Sequence, residues 1–390
     1  MANTVLTPSI IAKEAALQVV NNLQFARLAN KEFKNDFGVK IGDTVTYRKP
    51  VRFTAKSGAV LQLQDVNEKS DTIVINSRFH TAWEFSSQEL TLKIDDYSER
   101  YIKPAAISLA NQIDVDGAKL YKAVFNTVGA GSTTPDFPTL LNARQKMNEF
   151  AVPQNDRFVA LNPAASNGVM QDLTAYFQPS LIEDITKEAA LGRVAMMDVY
   201  ETQNVQKHTK GTAVTANLSV NTTPLDGDST IDLNESAAGT LVQGDILTFS
   251  GVNAVNPITK QDTGSLQQFV VNANYTLHAT NPTLVSISPS LILTGPYQTV
   301  TALPVADSST VTIFATHTAN MAWQRNAFAL VTVPLVAPQG AVWAETVEYQ
   351  GLGMRFLRAF DVTNDVEIVR LDVMYGWKAT YPELACRIAS

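Results

Sequence analysis

Apolar and polar residues follow a period of two over two stretches near the start of the chain, 39–54 and 73–85. A period of two is typical of strands with one buried face. The second stretch has 13 residues, which at about 3.3 Å each span roughly 43 Å, far beyond the usual strand of about five or six residues. The stretch between them, 55–71, is polar and contains a Ser-Gly pair typical of a turn. We therefore predict an extended hairpin with 55–71 at its tip.

One face of the second predicted strand carries large apolar side chains, Phe79, Trp83 and Phe85, and the other face is polar. An isolated two-stranded hairpin is only marginally stable in water. The apolar face therefore needs cover, either from the same chain or from a neighbouring copy.

A basic run lies on the predicted hairpin: Arg48, Lys49, Arg52 and Lys56. Two readings stay open, a solvated face and a surface that pairs with acidic side chains of a neighbouring copy. We expect subunit contacts at Arg48, Lys49, Arg52, Phe79, Trp83 and Phe85.

One helix is predicted on each side of the hairpin. Pro8 suits the first position of a helix, and the residues that follow it contain no helix breaker. From Pro104 to Phe125, small and apolar residues recur every three or four positions, at Ala106, Ala110, Ile113, Gly117, Leu120 and Val124. This spacing predicts a helix with one buried stripe, which at 1.5 Å per residue is about 33 Å long.

The composition changes sharply in the second half of the chain. No arginine occurs between Arg193 and Arg325, and 209–320 carries two lysines and seven acidic residues, a net charge of −5 out of −7 for the chain. Short strand-like runs separated by Gly, Pro and Asn predict a small β-barrel or sandwich there. Helical and strand patterns are mixed on both sides. We therefore expect an α+β body interrupted by an all-β insertion.

Charge and cysteine content narrow the function classes. Only 17% of the residues are charged, against roughly 25% in an average soluble domain. A net charge of −7 excludes a generally basic nucleic-acid-binding surface. Cys386 is the single cysteine, so an internal disulfide is excluded. The first residues lack the pattern of a secretory signal, and no run of about 18 apolar residues predicts a membrane span.

The motifs of catalysis and metal binding are missing from the sequence. No phosphate loop, paired-histidine metal motif or nucleophile elbow occurs. Asp226, Asp228 and Asp232 resemble the start of a calcium loop, but Ala237 stands where that loop needs a bidentate glutamate. We predict no catalytic, cofactor-binding or metal site and no enzyme activity.

The order of the predicted elements resembles the major capsid protein of tailed bacteriophages, a fold shared with encapsulins and the herpesvirus shell floor. The likeness is carried by KIGDTVTYRKPVRF, ELTLKIDDYSERYIKPAAISLANQIDVDGAKLY, NMAWQRNAFALVTVPL and RLDVMYGWKATYPELACRI. Podovirus-type coat proteins, whose body is interrupted by a β-barrel, are the most similar subgroup. The resemblance implies an N-terminal arm (1–36), an extended hairpin loop (37–93), a spine helix (94–128), an axial and peripheral α+β body (129–208 and 321–390) and an inserted β-barrel-like domain (209–320).

The resemblance also implies partners and a location. Copies would form hexamers and pentamers of an icosahedral head around double-stranded DNA, with a scaffolding protein and a portal during assembly and decoration proteins as further candidates. The DNA contact would be non-specific, no membrane would be involved, and assembly would take place in the bacterial cytoplasm to give the virion. Some relatives crosslink their subunits through a lysine, for which Lys56 or Lys69 would be the candidates, but we predict no crosslink. The alternatives are a β-rich ligand-binding or adhesion protein and an encapsulin-like compartment shell.

Overall fold

The computed structural model describes residues 8–32, 44–53, 58, 63, 68–86, 101–173, 191–235, 237–278, 281–307, 309–338, 342–349 and 351–390. Several expectations fall outside these residues: the start of the arm, the beginning of the first hairpin strand, Lys56 and most of the hairpin tip. The side chain of Phe85 also lies outside them. The chain divides into two compact units, described separately below. Unit 1 contains 1–48, 70–118 and 328–378, and unit 2 contains 49–69, 119–327 and 379–390.

Five α-helices and 22 strands lie in the described residues. The helices are α1 (Pro8–Asn22), α2 (Phe25–Leu28), α3 (Lys103–Ala118), α4 (Phe137–Glu149) and α5 (Pro163–Leu173). The strands are β1 (Thr44–Arg48), β2 (Ser70–Val74), β3 (Ser77–Ser86), β4 (Thr127–Val128), β5 (Arg157–Leu161), β6 (Arg193–Val194), β7 (Met197–Glu201), β8 (Lys207–His208), β9 (Leu218–Thr222), β10 (Thr230–Glu235), β11 (Gly239–Leu241), β12 (Ile246–Val255), β13 (Asp262–Val271), β14 (Tyr275–Leu277), β15 (Thr283–Ser288), β16 (Val311–Ile313), β17 (His317–Gln324), β18 (Phe328–Thr332), β19 (Trp343–Tyr349), β20 (Leu352–Asp361), β21 (Val366–Ala379) and β22 (Ala385–Ala389). This mixture of helix and strand confirms the expected α+β class.

A five-stranded sheet forms the centre of unit 1. Its order is β18-β21-β20-β19, and β3 also pairs with β21. Helices α1 and α3 pack on each other, and apolar residues of both join those of β19, β20 and β21 in one buried cluster. A separate ribbon of β1 and β2 buries Val45, Tyr47 and Ile73 with Ala329 and Val331 of β18.

The single long strand expected over 73–85 is wrong, because the chain changes partners at residues 75 and 76. Strand β2 pairs with β1, whereas β3 pairs antiparallel with β21. Close packing around residues 75 and 76 explains why the chain changes its pairing partner there. Ile75 is buried beside β18, and β21 passes so close that a Cβ on Gly376 would lie 2.4 Å from the carbonyl oxygen of Val74. The expected alternation does hold within β3, whose odd-numbered residues are half-buried while its even-numbered ones are exposed from 77 to 84.

The spine helix is shorter than the sequence predicts. Helix α3 ends at Ala118 and continues as a 3₁₀ helix over Lys119–Ala123 instead of reaching Phe125. In this tighter turn the N–H of Val124 donates to the carbonyl of Tyr121, and the Tyr121 side chain is buried. The expected buried stripe of α3 is confirmed at Ala106, Ala110, Ile113 and Gly117.

The body sheet of unit 2 has the order β4-β22-β17-β5-β7-β6, with β8 also pairing with β17. Helices α4 and α5 contribute Leu140, Ala143, Ala165 and Val169 to the apolar cluster that the sheet helps to form. The sequence assigns 317–320 to the insertion, and the structure places these residues in β17 of this body sheet.

The insertion forms a second β-structure within unit 2. Its main sheet has the order β16-β12-β13-β15-β10-β9, and β11 pairs with β14. Phe249 and Phe269 are fully buried there with their ring centres 5.5 Å apart. In the part of the chain that the structure describes, no helix has the length and apolar character needed to cross a membrane.

Candidate functional site

The base of the 49–69 loop, where the chain leaves β1 and returns to β2, brings Lys49, Arg52 and Lys69 together. Arg48 is exposed at the end of β1 in unit 1, and Lys49 and Arg52 follow in unit 2. The N–H of Lys49 donates to the carbonyl of Lys69 at 2.7 Å, and this bond ties the two sides of the hairpin together. The Lys49 ammonium lies 5.8 Å from the centre of the Tyr381 ring.

Arg52 contacts both the insertion and the C-terminal segment. Its Nη2 lies 3.1 Å from Oε1 of Glu383, and its backbone N–H donates to the hydroxyl of Tyr297 at 3.4 Å. The Arg52 side chain is 40% exposed, so the ion pair adds little to stability. The contact with Glu383 holds the guanidinium of Arg52 in one position.

These residues surround a cavity of about 340 Å³, here named the hairpin-base cavity. Its polar lining includes Lys49, Arg52, Lys69, Tyr297, Tyr381 and Glu383. Its apolar lining includes Phe125, Phe150, Val255, Pro257, Pro289 and Ile292. The sequence indicated Lys49, Arg52 and Lys69, but no local pattern indicated Tyr297 or Glu383, which are more than 200 residues away in the chain.

The aromatic face of β3 is partly covered by its own chain. Phe79 stacks on Tyr375 with ring centres 5.9 Å apart, and Trp83 packs against the apolar cluster of unit 1. Both side chains remain half-buried rather than fully buried. The structure therefore shows intramolecular cover, and contact with a second copy stays a prediction for Phe79, Trp83 and Phe85.

A buried polar cluster in unit 2 was not predicted from the sequence. Nε2 of His208 lies 2.9 Å from Oδ1 of Asp245, and Nδ1 of His208 lies 3.2 Å from the Tyr121 hydroxyl. A carboxylate only accepts, so Nε2 of His208 donates to it. Oδ2 of Asp245 also accepts the backbone N–H groups of Gly211 and Val242, at 3.1 and 2.7 Å.

Arg387 is the fully buried cation of this cluster. Its Nη1 donates to the carbonyl of Gly244 at 2.8 Å, and its guanidinium lies 5.1 Å from the centre of the Tyr121 ring. Burial lowers the pKa of Arg387 to about 9, and the charges of Tyr121 and Asp245 oppose that shift. The cluster thus links the last strand of the body to the start of β12 in the insertion.

Burial also shifts the pKa values of two neighbouring side chains, His317 and Cys386. It lowers the pKa of His317 to about 4, against the opposing hydrogen bond to the carbonyl of Ala315. It raises the pKa of the Cys386 thiol to about 12, so this cysteine is a protonated core residue at neutral pH. Among the described residues, no three His, Cys, Asp or Glu side chains are grouped so that they could hold a metal ion.

Comparison with known protein families gives a match over nearly the whole chain. The family model described as P22 coat protein, gene protein 5, matches residues 2–387. No curated protein sequence matches. The assignment of the chain to a family rests on this match.

Solved structures with similar folds were also found. A structure from Mycobacterium phage Che8 is 12% identical, with 94% of this chain and 90% of that chain covered and a TM-score of 0.49. A virus-like particle from Pyrococcus furiosus is 9% identical, with coverages of 97% and 98% and a TM-score of 0.40. The CUS-3 coat protein I-domain is 30% identical, with coverages of 25% and 94% and a TM-score of 0.19.

Proposed function

Because the chain belongs to the P22 coat protein family, we propose that its copies form the hexamers and pentamers of an icosahedral tailed-phage head around double-stranded DNA. The protein is a structural major capsid protein, its copies assemble with one another, and it is located in the virion. The observation that carries this function is the family match over residues 2–387.

Two surfaces of the described structure support the proposed contacts between copies. One is the exposed basic surface at Arg48 and Arg52, and the other is the half-buried face of β3 with Phe79 and Trp83. Charge at a subunit contact guides orientation more than it adds affinity, and aromatic side chains supply contact area. We propose Arg48, Lys49, Arg52, Phe79, Trp83 and Phe85 as subunit contacts.

The proposed shell must close at a defined size around DNA, and this requirement indicates further protein partners. A scaffolding protein and a portal during assembly are proposed, with decoration proteins as additional candidates, and assembly is placed in the bacterial cytoplasm. The net charge of −7 supports a merely non-specific contact with packaged DNA. Membership of a coat protein family disfavours the ligand-binding or adhesion alternative.

Assembly of the purified full-length chain tests the proposed function. The chain is expressed alone and together with a candidate scaffolding protein, and the products are analysed by sedimentation velocity and electron microscopy. Closed particles are the expected result. Only monomers at high concentration, both with and without the scaffolding protein, would contradict the proposal.

A further inference from the structure

We propose that the hairpin-base cavity binds a small organic anion with an apolar end, such as an aromatic carboxylate or an aromatic phosphate ester. All of its lining residues belong to unit 2, and they come from the hairpin, the body and the insertion. The inference concerns the single chain and does not depend on shell formation.

Positive charge is in excess around the cavity. Lys49, Arg52 and Lys69 line it, and Glu383 is the one carboxylate among its lining residues in the described chain. The Lys69 ammonium lies 4.7 Å from the centre of the Tyr297 ring, and the Arg52 guanidinium lies 5.9 Å from the same centre. Two cations held against one aromatic ring repel each other, so an anion between them is stabilised.

A fourth cation stands just outside the lining. The Lys260 ammonium donates to the carbonyl of Pro296 at 2.6 Å. Burial, followed by the charge of Arg52, lowers the pKa of Lys260. The positive charges of Arg52 and Lys260 repel each other, and an anion bound near them would relieve that repulsion.

The apolar lining separates an organic anion from a simple inorganic one. Phe125, Phe150 and Val255 are buried, and Ile292 is half-buried beside them. Apolar walls with a few placed polar groups are typical of small-molecule sites, and a cavity of 340 Å³ lies within the usual size range of about 300 to 1,000 Å³. The apolar end of the ligand would displace water from these side chains while its anionic group faced the lysines and Arg52.

Binding would also join parts of the chain that are distant in sequence. Lys69 comes from the hairpin, Tyr297 from the insertion and Tyr381 from the segment before β22. A ligand that contacts all three favours the conformation in which they are together, so it raises the apparent stability of unit 2 by mass action.

Titration of the full-length, unassembled chain tests the proposal. The probe is 2-naphthoate, followed by isothermal titration calorimetry and by the shift in thermal unfolding temperature. The neutral analogue 2-naphthalenemethanol tests the need for charge, and inorganic phosphate tests the need for an apolar end. We expect 2-naphthoate to bind about tenfold more tightly than either control, because the neutral analogue lacks the ionic contacts and inorganic phosphate lacks the apolar end.

Two single substitutions should move the affinity in opposite directions. Lys69→Gln removes a cation and should weaken 2-naphthoate binding about two- to fivefold, whereas Glu383→Gln removes the opposing carboxylate and should strengthen it by a similar factor. Lys103→Gln, which changes an exposed lysine outside the cavity, is the matched control and should leave binding unchanged. Unfolding temperatures without ligand report whether each variant is folded.

Three results would overturn the proposal. They are no binding of 2-naphthoate at millimolar concentration, equal binding of a control compound, and equal effects of Lys69→Gln and Lys103→Gln. A naphthoate affinity that is independent of salt would also contradict it, because exposed ionic contacts weaken as salt is added.

Discussion

At the scale of single residues, the buried cluster around Asp245 and Arg387 combines buried charge with few hydrogen-bond partners, so we expect it to be sensitive to substitution. A buried cation is costly unless charge and hydrogen bonds compensate it. In the described residues the Arg387 side chain donates one hydrogen bond, to the carbonyl of Gly244, and Tyr121, Asp245 and Cys386 are the nearby groups whose negatively charged forms favour its protonated form. Of these three groups, Asp245 is the carboxylate.

The first prediction concerns this carboxylate. Asp245→Asn keeps the size of the side chain but removes its charge and one acceptor oxygen, which leaves Arg387 with a poorly compensated charge. The free energy of unfolding should fall by about 3 kcal/mol, because the buried cation loses the nearby opposite charge and the cluster loses an acceptor. Urea unfolding of unassembled protein measures it.

The matched control is Asp226→Asn, since Asp226 is exposed and its Oδ1 accepts one backbone N–H, that of Leu293. This variant should lose no more than about 1 kcal/mol. Equal losses in the two variants would mean that Asp245 does not compensate a buried charge.

The second prediction is a loss of stability in acid that depends on His317. Its folded pKa of about 4 lies below the ordinary value of 6.5, so between these values the unfolded chain binds the extra proton. The contribution of His317 is fully present above about pH 6.5 and is lost as pH falls toward 4, by about 3 kcal/mol in total.

Unfolding temperatures measured from pH 7.5 to 4.5 check this dependence. His317→Asn keeps a donor for the carbonyl of Ala315 but cannot titrate, so its profile should be flatter than that of the wild type. His278→Asn, which replaces an exposed histidine, should keep the wild-type profile. A wild-type slope in His317→Asn would assign the acid sensitivity to other groups.

None of this cluster could be predicted from the sequence. Tyr121, His208, Asp245, His317 and Arg387 are separated by 37 residues or more, and each residue alone resembles an ordinary surface polar residue. Their proximity is created by the pairing of β17 with β8 and β22, which is a property of the tertiary fold.

At the scale of elements, the small residues of α3 set how closely other groups approach the helix. A Cβ on Gly117 would lie 2.7 Å from Cδ1 of Phe25 and 2.8 Å from the Trp377 ring. Two aromatic rings therefore occupy the space beside Gly117. Phe25 and Trp377 are themselves in contact, with ring centres 5.7 Å apart.

The third prediction is that Gly117→Ala destabilises unit 1. Alanine favours a helix over glycine by about 1 kcal/mol, but overpacking between two rings costs typically 1 to 3 kcal/mol. The net loss should be about 1 kcal/mol in urea unfolding. Ser108→Ala, on the exposed side of α3, gains helix propensity without a clash and should not destabilise. A stabilised Gly117→Ala variant would show that the rings move aside freely.

The fourth prediction concerns Trp83 in β3. Because Trp83 is half-buried against its own core, Trp83→Ala should lower the free energy of unfolding by about 2 kcal/mol, roughly half the loss at a fully buried aromatic. If a second copy also covers this face, assembly yield should fall further than stability alone explains. Glu84→Ala, on the exposed side of the same strand, is the control.

The sequence predicted those features of a helix or strand that depend only on its own local pattern. The period of two identified the two faces of β3 between Phe79 and Trp83, because alternation depends only on the strand itself. The break at residues 75 and 76 was not predicted, since both sides of it have strand-like sequence and the switch of partners depends on β1 and β21. Similarly, the stripe of α3 was predicted but its end at Ala118 was not.

At the scale of the whole molecule, the composition changes near residue 209, where the chain passes from one apolar core to another. The insertion has an apolar cluster of its own, and the body sheet has another. Strand β13 contributes to both, because Phe269 and Val271 belong to the insertion core while Val270 belongs to the body core. The side chain of Gln268 adds two hydrogen bonds to the backbone of Thr127, at 2.7 and 2.9 Å.

The fifth prediction is that residues 209–316, which exclude β17, fold when expressed alone. Their own core should suffice for a dispersed β-type amide spectrum by NMR with cooperative thermal unfolding, although at a lower temperature than in the full chain. Adjacent residues of β13 provide the decisive comparison. Phe269→Ala should abolish folding of the fragment by removing about 3 to 5 kcal/mol, whereas Val270→Thr should be tolerated because that side chain faces the missing body. Equal damage from both substitutions, or a random-coil spectrum of the fragment itself, would mean that the insertion folds only together with the body.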